Sequence, residues 1–218
     1  MLLLLLTGPG GSALPAGIDF RDLLADLYPM LGAQSEADLV FWDQAELYRL
    51  FDESAKRLAA IAGLFVERDN SLASAAGTRT YTLPARHVST IQVTLGAVVL
   101  RAATVGELEA RDTAWRTGSG TPTRWYADGE GLAAIALYKV PTGVAILHII
   151  EHEFPTTIAA ATPTLSAPSP VGDYFTLRAL GEARGRESDG AMPEVAAHCR
   201  ERARLYEEMF KAYWGAAQ

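Results

Sequence analysis

The sequence predicts an α+β protein: a helical bundle made by the N- and C-terminal helices, with an antiparallel β lobe (sandwich or small barrel) inserted between them. Two observations predict it. Apolar residues recur every three to four positions towards both ends of the chain, and at every second position within residues 78–152. The composition supplies a core, because 49% of the 218 residues are apolar and 21% charged. At this length a chain buries roughly 70% of its unfolded surface, so no metal or disulfide staple is needed. The expected organisation is an N-terminal arm (1–18), bundle helices (19–66), the β lobe (67–154), a linker or arm (155–169) and further bundle helices (170–215).

Asp19 caps a first helix over residues 19–31, with Leu23, Leu24 and Leu27 as its stripe and Pro29 as its stop. Ser35-Glu36-Ala37-Asp38 resembles a capping box with Asp in the Glu position. It opens a rod of about 28 residues, roughly 40 Å long. The stripe of that rod is Val40, Leu47, Phe51, Ala55, Leu58, Ala62 and Phe65, ending near Gly63. In the lobe, residues 80–82 lead into Leu83-Pro84. Ile91, Val93 and Leu95 alternate with Gln92 and Thr94, and Leu95-Gly96 turns the chain into residues 98–100. Thr104-Val105-Gly106-Glu107 is a capping box for a short helix reaching about Asp112. Strands follow at 124–127, 132–140 and 144–153, separated by turns at Asp128-Gly129 and Pro141-Thr142-Gly143.

Residues 155–170 carry no charge and read as a linker or an extended arm. Pro170 opens a helix to Arg186, Asp189-Gly190 breaks it, and Pro193 opens the last one. There Val195, Cys199, Ala203, Tyr206, Phe210 and Tyr213 share a face, while Arg200, Glu201, Arg204, Glu208 and Lys211 point away.

The 19 basic and 26 acidic residues leave a net charge of −7, which argues against a dedicated grip on nucleic-acid phosphates. Cys199 is the single cysteine, so no intrachain disulfide or cysteine zinc cage is expected, and the simplest compartment is reducing. No apolar run approaches the roughly 20 residues of a membrane span, and a secretory leader pattern is not expected. Leu2, Leu3, Leu4, Leu5 and Leu6 precede Gly8-Pro9-Gly10-Gly11. They read either as a frayed tail or as an arm that docks on a partner.

One catalytic pattern stands out. His148-Ile149-Ile150-Glu151-His152 fits the H-x-x-E-H of inverted zinc peptidases. That chemistry needs a helix, so that two imidazoles one turn apart reach one Zn²⁺ while the Glu activates water. The β-branched flanks instead predict a strand, where residues four apart lie about 13 Å from each other and the Glu faces the other way. No metal, cofactor or catalytic group is expected. The glycine runs lack a following Gly-Lys-Ser/Thr, and no serine sits in G-x-S-x-G. Trp115 and Trp125 flank a Gly-Thr-Pro turn and are expected to pack in the lobe rather than to stack on bases. A zinc hydrolase using His148, Glu151 and His152 remains one alternative. A β-sandwich binding module with helical dimerisation arms is another.

An ordered set of landmarks runs through the lobe: Tyr81-Thr82-Leu83-Pro84, then Val93-Thr94-Leu95-Gly96 with Leu100, then Glu107-Leu108-Glu109 with Trp115-Arg116-Thr117. Gly120-Thr121-Pro122 then leads to Trp125-Tyr126, and Tyr213-Trp214-Gly215 closes the chain's helical end. This set resembles the head–tail connector proteins of tailed phages, also called adaptor or head-completion proteins, over residues 19–215. The resemblance implies a structural virion protein of the neck, assembled in the host cytoplasm and not at a membrane. It implies a homo-oligomeric ring, of twelve subunits, that binds the portal protein and joins it to tail or neck proteins around the DNA channel. Tyr81, Leu83, Pro84, Gly96, Trp115, Gly120, Pro122, Trp125, Tyr126 and Trp214 would then be structural motif residues. The candidate interface comprises Leu2, Leu3, Leu4, Leu5 and Leu6 with Phe154, Thr156 and Ile158, because neither segment is patterned to bury itself locally.

Overall fold

The computed structural model describes residues 17–39, 41–63, 66–127, 134–167, 170–186 and 192–215, without the side chains of residues 66–71 and 214–215. Val40, Phe65 and the Asp128-Gly129 and Asp189-Gly190 turns lie outside the described residues, as do Leu2 to Leu6. The chain divides into two compact units, one formed by Met1–Phe65 with Phe154–Gln218 and the other by Val66–Glu153. The first segment carries β1 (Ile18–Asp19), α1 (Phe20–Leu31) and α2 (Gln44–Ala62). The second unit carries β2 (Val66–Ser74), β3 (Thr80–Thr82), β4 (His87–Leu95), β5 (Val98–Ala102), α3 (Val105–Arg111), β6 (Arg124–Ala127), β7 (Ala134–Tyr138) and β8 (Ala145–Glu153). The returning segment carries β9 (Thr164–Leu165), α4 (Pro170–Gly185) and α5 (Pro193–Gly215).

In the helical unit Asp19 caps α1, its carboxylate accepting from the Arg21 amide, and Phe20, Leu24 and Leu27 are buried. Pro29 does not stop the helix. It sits in the last turn, and Gly32, in the left-handed region at φ 86°, ends α1 by donating its amide to the Pro29 carbonyl. The expected N-terminal rod is two pieces. The Asp38 carboxylate accepts from the Ser35 hydroxyl and the Gln34 amide, and only a 3₁₀ turn, Glu36–Asp38, forms there. Asp43 supplies the helix cap, accepting from the Glu46 amide, so α2 is 19 residues long. Its stripe of Leu47, Phe51, Ala55, Leu58 and Ala62 is buried, and Gly63 ends it at φ 56°.

The longest helix is α5, at 23 residues. It lies close to α4 because position 181 has no side chain: a Cβ there would sit 3.1 Å from the Arg200 side chain and 3.3 Å from the Cys199 Cβ. The inner face of α5 is narrower than its spacing predicts. Ala196, Cys199, Ala203 and Phe210 are buried, but Val195 and Tyr213 are 40% and 61% exposed. Phe51, Phe20, Phe175, Tyr174 and Phe210 form a chain of ring contacts through the core, with centroids 5.1–6.2 Å apart.

The β unit is one mixed seven-stranded sheet in the order β2-β8-β4-β5-β6-β7-β3, nearly closed on itself. It is not wholly antiparallel, because β5 and β6 run parallel. The segment 103–123, which contains α3, carries the chain back across the sheet before β6 begins, and that crossover permits a parallel pair. β2 carries no period-2 apolar signal and was not expected as a strand. Pairing with β8 defines it, with a register shift between Asp69 and Leu72. A second shift, between Thr90 and Gln92 where β4 meets β8, interrupts the expected alternation. Val93 is buried, whereas Ile91 is 43% exposed. Inside the curled sheet, Tyr81 and Leu83 meet Val93, Leu100, Ile135, Leu137, Leu147 and Ile149 in one cluster. Leu108, Trp115, Tyr126 and Ala136 form a smaller one.

Candidate functional site

The landmark residues of the lobe are turn and core positions. Tyr81, at the sheet edge, is buried, and its hydroxyl donates to the Thr78 carbonyl at 2.8 Å, tying down the turn before β3. Burial pushes the Tyr81 phenol up from its ordinary pKa. Leu83 is buried, and the Pro84 carbonyl accepts the His87 amide. Gly96 turns β4 into β5 at φ 60° and donates its amide to the Ile146 carbonyl of β8. Trp115 is 4% exposed and meets Tyr126 edge-on at 5.3 Å, with the Arg116 guanidinium 4.6 Å over its ring. Gly120, at φ 144°, donates to the Val140 carbonyl at 2.9 Å, while Val140 donates to Gly118. Pro122 is buried beside this turn, and Trp125 is half-buried against the larger cluster. The Trp214 side chain lies outside the described residues.

The H-x-x-E-H pattern lies on β8, a strand, and lacks the helix that the zinc-hydrolase alternative requires. His148 and His152 share one parity of the strand and Glu151 has the other. Glu151 is 1% exposed and is held by a residue the motif does not contain: its Oε2 lies 2.5 Å from His87 Nδ1. Two residues on, Glu153 pairs with Arg86 at 2.9 Å. Among the described residues, no group of three His, Cys, Asp or Glu side chains could hold a metal. Cys199 is buried in the helical unit, and burial pushes its thiol up.

The candidate interface segment after β8 behaves differently from expectation at Ile158. Ile158 is 3% exposed and belongs to the core of its own helical unit. The cause is a polar anchor. The Ile158 amide donates to the buried Asp52 carboxylate at 3.0 Å, and Lys56 pairs with the other oxygen of that carboxylate. Leu165 and Ala167 are also buried, and β9 pairs antiparallel with β1. Residues 155–167 are thus a strap on their own subunit. Phe154 is half-buried and Thr156 exposed.

A second anchor, also illegible as a motif, is Glu207 on α5. It is 7% exposed, receives two hydrogen bonds from Arg57 of α2 at 2.6 and 2.9 Å, and accepts one from the Tyr174 hydroxyl of α4 at 3.0 Å. Burial works to raise the Glu207 pKa, yet the bonds from Arg57 and Tyr174 outweigh it and hold the carboxyl below the usual range. Burial, followed by the nearby Glu207 charge, pushes the Tyr174 phenol strongly up. A charge among polar residues gives no periodic signal, so only spatial convergence shows this site.

Among the described residues, exposed apolar side chains gather on the β unit and on the last helix. At one end of the sheet, Val98, Val99, Val144 and Ile146 are 53–76% exposed. On α5, Leu205, Met209 and Tyr213 are 48–61% exposed, one helical turn apart.

The described candidate residues are thus packing positions, turns, buried polar anchors and exposed apolar surface. A sequence model of the SU10 adaptor protein family matches residues 18–218, and the chain belongs to that family of phage head–tail adaptors. No curated protein matches it.

Proposed function

We propose that this adaptor is a non-catalytic virion protein that forms a closed ring of twelve copies between the portal vertex and the tail, around the channel through which DNA passes. The observation that carries this reading is the family match, which spans both units of the chain. Charge supports it, since a channel that lets DNA slide is better lined by a protein of net charge −7 than by one that grips phosphate. The exposed valines and isoleucine at the end of the sheet, and the leucine-rich N-terminal arm, are the surfaces we assign to portal or neck proteins. No described helix is long and apolar enough to cross a membrane. The free subunit is expected to be monomeric, with ring closure templated by the portal.

Light scattering and electron microscopy of the protein alone and with portal test the reading. Ring-shaped particles carrying the portal's symmetry are the expected result; a chain that stays monomeric at all concentrations with portal present overturns it. Deleting residues 1–18 is expected to weaken portal docking, and unchanged affinity would remove the arm from the contact.

A further inference from the structure

The last helix is three-sided. One face is buried in the bundle through Ala196, Cys199, Ala203 and Phe210. A second face holds its charges in an internal network, Glu201 and Glu208 both pairing with Arg204. The third face carries His198, Arg202, Leu205 and Met209, all exposed, and Arg202 makes no ion pair among the described residues. An exposed stripe that is basic at one end and apolar at the other fits a partner with the inverse charge.

That partner surface exists on the same unit. α1 packs its inner face against α4 and α2, whereas α5 packs on α4 and α2 from its own side. The outer face of α1 shows Asp22, Asp26 and Met30 at successive turns, all exposed. Of its basic neighbours, Arg21 is engaged by Asp19 through two nitrogens and Arg184 of α4 donates to the Met30 carbonyl, while neither Asp22 nor Asp26 forms an ion pair among the described residues. The two stripes match in the spacing of their charged pairs. Asp22 and Asp26 are four residues apart, as are His198 and Arg202; Met30 follows four residues after Asp26 and Leu205 three after Arg202, both spacings that keep a helix face.

We propose that the outer face of α5 docks on the outer face of α1 of a second copy, the helices parallel, with Asp22 facing His198, Asp26 facing Arg202 and Met30 against Leu205 and Met209. This rests on the ring reading and specifies its subunit contact. Because the two surfaces differ, the contact repeats head to tail from copy to copy in a ring, the heterologous arrangement.

The test mixes two single-substitution chains, Met30→Cys and Leu205→Cys, under mild oxidation, with the buried Cys199 retained in both. Mixed dimers are expected to form about tenfold faster than either self-dimer, the factor that about 1.4 kcal/mol of preferred contact produces. Asp26→Arg in the first chain is expected to abolish the preference, and Arg202→Asp in the second to restore it. Equal rates for mixed and self-dimers, or a preference indifferent to Asp26→Arg, overturns the contact. If wild-type rings form while the preference is absent, the contact fails and the ring reading stands. If a chain carrying both cysteines stops at dimers, the contact stands and the ring reading fails.

Discussion

The two units of this adaptor are held together differently. The helical unit is assembled from chain segments separated by the whole β unit, and its ties cross that gap: Arg57 to Glu207, Asp52 to Ile158, Arg184 to the Met30 carbonyl, and β1 to β9. The β unit is continuous in sequence, and its shape comes from turns, bulges and two small clusters. Charge divides as unevenly, with 17 acidic and 11 basic residues in the helical unit against 9 and 8 in the β unit. Apolar packing is non-directional and accepts many pairings. Where partners are remote in sequence, directional hydrogen bonds to buried carboxylates select the right one, and the β unit uses the same device where Glu151 meets His87. Where partners are near, turn geometry does so.

Substitutions at four sites would break or sharpen this contrast. The largest effect is expected in the β unit, where Trp115→Ala removes the ring that fills the smaller cluster, at a cost of about 3–5 kcal/mol. An unchanged melting temperature would mean that Trp115 is a contact residue instead. In the helical unit Glu207→Ala is expected to cost about 2–3 kcal/mol in urea unfolding, because it leaves the Tyr174 hydroxyl buried without its acceptor; the half-exposed Arg57 finds water. The pH dependence follows from the lowered carboxyl pKa of the folded state. This stabilisation is fully present above the ordinary carboxylate pKa and is lost as pH falls through the lower folded value. Glu207→Gln is expected to flatten that acid limb.

Asp52→Ala is expected to cost about 1–2 kcal/mol by orphaning the Ile158 amide. Hydrogen exchange should accelerate at Ile158 and through residues 155–167 before it does so in α4; uniform acceleration would contradict a local strap. The smallest effect is expected for Thr104→Ala, about 1 kcal/mol, which removes one half of the capping box formed with Glu107. Thermal unfolding would register it, and a loss as large as that of Trp115→Ala would show that α3 organises the lobe rather than decorates it.

The sequence by itself determined what depends on neighbours within a turn or two. The α+β class, the caps at Asp19 and at Thr104 with Glu107, the stop at Gly63, the strand Arg124–Ala127 and the strand placement of His148 and His152 all follow from local periodicity and local hydrogen bonding. Tertiary structure decided the rest. β2 is a strand only because β8 lies beside it, and Ile91 faces outward because a bulge in its pairing rotates it. Ile158 is a core residue because Asp52, remote in sequence, holds its amide, and Glu207 sits in the bundle because Arg57 and Tyr174 converge there. A buried charge or an unpatterned strand costs free energy unless a distant partner is present. Such partners are brought close only by the folded chain, so their positions carry no signal in the order of the residues.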